Sequence, residues 1–107
     1  MSDRVIYHIT SITEWQLAQS KGEYEPQAFA AEGFIHCSYA HQLEGVMQRF
    51  FKGQKNLVVL EINPAALQCE VIEENLEGGT ELFPHVYGKL PLDAVVKAHP
   101  IAEFLVT

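Results

Sequence analysis

Three histidines, His8, His36 and His85, are each followed two positions later by a hydroxyl-bearing residue: Thr10, Ser38 and Tyr87. Side chains two residues apart share one face of a β-strand. The stretches "YHIT", "FIHCS" and "PHVY" would therefore each present an imidazole beside a hydroxyl. An imidazole titrates near neutral pH and suits both hydrogen bonding and proton transfer, and the Tyr87 phenol adds a stacking surface. The hypothesis lies in their convergence, because a single strand histidine is more often satisfied by a neighbouring backbone carbonyl. His41 and His99 receive no role: one falls in the first turn of a helix and the other near the chain end. Glu70, Glu73, Glu74, Glu77 and Glu81 read as a solvated acidic stretch, with Glu81 near enough in sequence to partner His85. Three strand histidines with an open position would also suit zinc, but no HxH or HxxxH pair selects a metal, and none is assigned. A dyad of Cys37 with a histidine is disfavoured because Cys37 alternates to the face opposite His36.

The elements that must position these groups follow from periodicity. Val5 to Thr10 alternates as a strand. "SITE", Ser11 to Glu14, has the form of a capping box and opens a helix that Gly22 stops. "KGEYEPQAFAAEG" has no sustained period and reads as a long connection. A strand over Phe34–Ser38 then leads into a helix that Ser38 would cap, with Leu43, Val46, Met47 and Phe50 at i, i+3, i+4 and i+7 and Gly53 as its end. "NLVVLEI" predicts a central strand, and Pro64 starts a single helical turn. "CEVIEE", "HVYG" and the run to Phe104 supply further strands, with Pro100 marking an edge or bend. The expected architecture is α+β: one domain over residues 1–107, with a split mixed or antiparallel sheet and two helices in the N-terminal half.

Composition narrows the function. The chain has 107 residues, 14 acidic against 7 basic, and a formal charge of −7. That field repels phosphate backbones and anionic lipid, which counts against general nucleic-acid or membrane binding. A small anionic ligand remains compatible, since backbone N–H groups can hold a nucleotide locally. No apolar run reaches the ~20 residues of a membrane span. With no signal-peptide pattern and two distant cysteines, Cys37 and Cys69, the chain reads as a reducing, cytoplasmic protein.

The blocks "VIYHIT", "GFIHCS" and "FPHVYG", in this order over most of the chain, resemble the bacterial DUF952 family of small uncharacterised proteins. Members commonly carry Pro-Leu after the third block, where this sequence has Lys89-Leu90. The resemblance implies an ADP-ribosyltransferase-like fold, a split β-sheet enclosing an NAD-binding cleft. In such enzymes a first-strand histidine within a "YHGT"-like stretch bonds a ribose of NAD; here Tyr7, His8 and Thr10 match and Ile9 replaces the glycine. The implied assignment makes His8, His36 and His85 catalytic and places His8, Thr10, Ser38 and Tyr87 at the cofactor. The later glutamate of many such enzymes has no counterpart unless Glu81 folds inward. The tRNA 2′-phosphotransferase branch likewise replaces such residues with histidine. The expectation is a small-molecule nucleotide, NAD or a relative, bound in a His-lined cleft with or without ADP-ribose transfer. The alternatives are a non-catalytic nucleotide-binding module and a His-ligated metal-dependent hydrolase.

Overall fold

The computed structural model describes residues 4–75 and 81–104. At its centre lies the run "LVVLEI", β4 (Leu57–Ile62), flanked by antiparallel β1 (Ile6–Ser11) and β8 (Val95–Pro100). Apart from Glu61 this strand is apolar, because both of its faces are covered. Val58, Leu60 and Ile62 pack on one side with Ile6, Tyr24, Ile35 and Val86. Leu57 and Val59 pack on the other with Ile9, Leu43, Val46, Met47 and Phe83.

Helix α1 (Ile12–Lys21) starts where expected, Ser11 accepting a hydrogen bond from the Glu14 N–H, and ends on Gly22 in the left-handed region at φ 91°. After β2 (Glu23–Tyr24), the segment read as a connection contains a third, short helix, α2 (Phe29–Glu32). β3 shrinks to Ile35–His36. Ser38 instead forms an isolated bridge with Tyr7, so it caps no helix; the Tyr39 N–H bonds Gln42 Oε1 at the turn that leads into α3 (Leu43–Phe50). α3 lays Leu43, Val46 and Met47 on the second face of β4.

β5 (Val71–Glu74) and β6 (Phe83–Val86) pair antiparallel and complete a second sheet in the order β3-β6-β5. β7 (Leu90–Pro91) pairs with β2, and all three sheets are antiparallel, with no parallel pair among the described residues. The result is a compact α+β fold with a Cα radius of gyration of 13.0 Å. No helix among the described residues is long and apolar enough to cross a membrane. The acidic stretch from Glu70 to Glu81 lies partly outside the described residues.

Candidate functional site

The strand pair β3–β6 places His36 directly opposite His85. Their chain neighbours Ile35 and Val86 are fully buried in the first core, so alternation turns both imidazoles to the other face. There they line a cleft of about 360 Å³ whose other walls include Phe34, Val46, Phe50, Phe51 and Glu32. The wall carrying Phe34 is set by Gly33, whose left-handed φ of 81° ends α2 and turns the chain into β3. Phe34 stacks on His85 with ring centroids 4.1 Å apart and planes 13° apart, and Phe83 lies 5.1 Å from the His36 ring.

A hydrogen-bonded relay runs behind this wall. His36 Nδ1 lies 3.2 Å from His85 Nε2, and His85 Nδ1 lies 2.9 Å from Glu74 Oε2. A carboxylate only accepts, so His85 Nδ1 carries a hydrogen and its Nε2 receives one from the His36 Nδ1–H. That tautomer makes Nε2 the basic nitrogen of His36, an atom buried within the wall itself. The Tyr87 hydroxyl also donates to Glu74. Hydrogen bonds from Tyr87 and then His85 hold the Glu74 carboxyl below the usual carboxylate range, and the same bond to Glu74 raises the Tyr87 phenol. The arrangement is that of an oriented general base.

A second chain starts on the opposite face of β1. His8 Nδ1 donates to the His36 carbonyl at 2.7 Å, and its Nε2 faces the Tyr24 hydroxyl at 2.7 Å. Tyr24 donates to Thr10 Oγ1 at 2.8 Å, Thr10 donates to Glu14 Oε2 at 3.1 Å, and Glu14 Oε1 accepts from the Gln27 N–H. Burial outweighs the bond to the His36 carbonyl and lowers His8 to about 4, so its ring is neutral at neutral pH. Burial likewise pushes the Tyr24 phenol and the Cys37 thiol well up.

A family model described as "Protein of unknown function (DUF952)" matches residues 9–98. The chain belongs to the DUF952 family. It is similar to protein CC0527 from Caulobacter crescentus, whose crystal structure superposes with a TM-score of 0.78 at 35% identity, covering 88% of this chain and 82% of that one. The solution NMR structure of CC0527 gives a TM-score of 0.75 at 35% identity, covering 88% of this chain and 81% of that one. No curated protein matches the chain.

In this DUF952 chain the three histidines do not share one hollow. His36 and His85 line the cleft, whereas His8 stands on the other face of β1 and touches His36 only through the main chain. Thr10 belongs to the His8 chain. Ser38 is buried and exchanges main-chain hydrogen bonds with Tyr7, both at 2.8 Å. Tyr87 reaches the cleft through Phe34, 5.5 Å between centroids, and through Glu74. Glu81, considered as a partner for His85, instead accepts from Gln42 Nε2 at 3.2 Å. Cys37 is fully buried on the face away from His36, and no group of three or more metal-ligating side chains gathers among the described residues. His99 pairs with Glu61 at 2.7 Å across β8 and β4. Sequence reasoning missed Glu74, Tyr24 and Glu14 as partners of these imidazoles.

Proposed function

We propose that this chain binds the nicotinamide end of NAD, or of a closely related nucleotide, in the phenylalanine-lined cleft, with His36 as the proton-exchanging group. The observation that carries this reading is the Glu74–His85–His36 relay, which ends on the wall of an aromatic cleft. A volume of about 360 Å³ sits near the low end of small-molecule sites, roughly 300–1,000 Å³, and suits one ring with its ribose better than a whole dinucleotide. The pyridinium ring of oxidised NAD is flat and cationic. Aromatic faces at Phe34 and Phe50, with the Glu32 carboxylate on the same rim, favour such a cation. Arg49, over the Phe50 and Phe83 rings at 5.4 and 5.8 Å, would supply a cation for a phosphate.

The finer fold reading, ADP-ribosyltransferase-like, belongs to the same proposal. It is supported by the strand–helix–strand–helix order and by the Tyr7–Ser38 bridge that joins the two sheets beside the cleft. In ADP-ribose transfer the glycosidic C–N bond breaks and its electron pair leaves with nicotinamide. The sugar is then cationic and is stabilised by nearby dipoles and carboxylate. An acceptor oxygen forms the new C–O bond and passes its proton to the His36 imidazole, whose Nε2 has to be uncovered by a small movement of the wall.

Calorimetric titration with oxidised NAD, nicotinamide mononucleotide, NADH and AMP tests the binding. The two pyridinium ligands are expected to bind more tightly than NADH, whose reduced ring is neutral, and Phe34→Ala and His36→Ala should weaken them. Absence of heat at millimolar ligand overturns the reading. Chromatography of the same mixtures separates transfer from a binding module: released nicotinamide marks the enzyme, and saturable binding without it marks the module. The exposed setting of Glu32 favours the module, because a solvated carboxylate stabilises a cationic sugar only weakly.

A further inference from the structure

The chain from His8 to Glu14 holds fewer hydrogens than its geometry has places for. It is bounded at both ends by groups that only accept, the His36 carbonyl and the Glu14 carboxylate. Between them stand an imidazole, a phenol and a hydroxyl, each bringing a single hydrogen when neutral. There are four contacts, of 2.7, 2.7, 2.8 and 3.1 Å, and three hydrogens to fill them. His8 Nδ1 must give its hydrogen to the carbonyl, and Tyr24 and Thr10 point theirs toward Glu14. One of the three side-chain contacts is therefore left without a hydrogen, and with both hydroxyls turned toward Glu14 it is His8 Nε2 against the Tyr24 oxygen, lone pair to lone pair. Thr10 is 4% exposed and Tyr24 1%, so water is poorly placed to fill the gap.

We infer that this chain is a proton-binding latch: it closes completely only when one hydrogen is added to it, and it then fastens α1, β1, β2 and the backbone of β3 together. The added proton comes from solvent at the Glu14 end, where Glu14 and Tyr24 border a polar depression of about 270 Å³. A new O–H bond forms at Glu14 Oε2 and donates to Thr10. Thr10 turns its hydrogen to Tyr24, and Tyr24 turns its own to His8 Nε2. Every contact is then filled and His8 stays neutral, as burial of its ring requires.

The charged groups facing the latch are consistent with uptake at this end. Lys89 lies across the depression but is held by Glu23 at 3.1 Å and Glu25 at 3.7 Å, so it contributes little toward keeping Glu14 ionised. Lys21 is on the same rim as Glu14, at the far end of α1. At the other end His36 faces His8 through its carbonyl, and the buried Cys37 lies beside Tyr24. Cys37 disfavours placing a charge on that side by its apolar surroundings, and a proton on His36 would repel one on His8.

The test follows the His8 ring nitrogens and the Glu14 carboxyl carbon by NMR in the whole protein as the solution is acidified stepwise from neutral pH. The expected result is one shared titration curve, with His8 Nδ1 keeping its hydrogen and Nε2 shifting as the Glu14 carboxyl gains one. Glu14→Gln supplies the missing hydrogen permanently through its amide, while its oxygen can still accept from the Gln27 N–H. In that variant the shared curve should vanish and His8 Nε2 should sit at its hydrogen-bonded position throughout. Thr10→Val cuts the chain and should uncouple the two ends, which keeps the idea falsifiable if Glu14→Gln folds poorly. Separate curves in the wild type, an unchanged His8 curve in Glu14→Gln, or ends still titrating together in Thr10→Val would overturn the latch.

Discussion

Gly88, the last residue of "FPHVYG", offers the sharpest test of how the site is built. A Cβ at this position would lie 2.7 Å from Cys69 Cβ and 2.8 Å from Cys69 Sγ, where ordinary carbon contacts lie at roughly 3.5–4.0 Å. The backbone φ is not left-handed here, so close approach alone demands glycine. Neither flank yields easily. The Tyr87 N–H bonds the Glu70 carbonyl at 2.9 Å, Val71 pairs with Val86, and Leu90 is fully buried. Gly88→Ala must therefore separate the chains by about 1 Å, and overpacking of this kind costs about 1–3 kcal/mol. The stiffer alanine backbone returns about 0.4–1 kcal/mol, leaving a net loss of roughly 1–2 kcal/mol. Urea unfolding with an unchanged m-value measures it. The geometry also fixes the pattern of rescue. Cys69→Ala removes Sγ but leaves the nearer Cβ, so it should not restore Gly88→Ala, whereas Cys69→Gly removes both atoms and should give a coupling of about 1–2 kcal/mol in a double-mutant cycle. A Gly88→Ala loss below about 0.5 kcal/mol, or equal rescue by both Cys69 variants, would refute the reasoning.

Tyr24→Phe keeps the buried ring and deletes the bond it donates to the buried Thr10 hydroxyl, and should cost about 1 kcal/mol; Tyr39→Phe, whose hydroxyl bonds the exposed Glu73, should cost clearly less in the same denaturation series. The folded-state depression of His8 from 6.5 to about 4 means that the unfolded chain binds the proton first. Its contribution is therefore present above about pH 6.5 and lost as pH falls toward 4, by up to about 3 kcal/mol, and His8→Phe should flatten that part of the stability–pH curve. If the proposed transfer occurs, His36→Ala should lower nicotinamide release by about 10²–10⁴-fold in a chromatographic assay while the unfolding midpoint moves little.

The parts of the fold carried by local pattern were legible. β4 reads from its apolar run Leu57–Leu60, α3 from its i, i+3, i+4, i+7 spacing, and the start of α1 from Ser11. The S-x-x-E motif was only half right, because Glu14 spends its carboxylate on Thr10 and Gln27 rather than on the Ser11 N–H. Alternation also put Phe34, His36, His85 and Tyr87 on the correct faces. What it could not supply was which strands pair. Glu74 meets His85 because β5 and β6 set Ile72 opposite His85 and Glu74 two residues along on the same side. The nearness of Glu81 in sequence pointed elsewhere. Folding "VIEE" back against "FPHV" as a hairpin would have revealed it. Tyr24 was hidden for a different reason: its two-residue strand has no period to detect and is held by distant β7. His8 left the expected common cleft because β1 lies between two packed faces, and the even positions of β1 point toward Tyr24 and α1 rather than toward α3.

On the proposed function, His36 and His85 form the working wall of a ligand cleft. The most direct test is a histidine-ring NMR titration of the intact protein with nicotinamide mononucleotide. The account predicts saturable shifts at the ring nitrogens of His36 and His85, with the Phe34 ring moving in step and His99, on the far strand, unmoved. Shifts confined to His99 or to the exposed His41, or no saturable change at His36 and His85 at millimolar ligand, would contradict it.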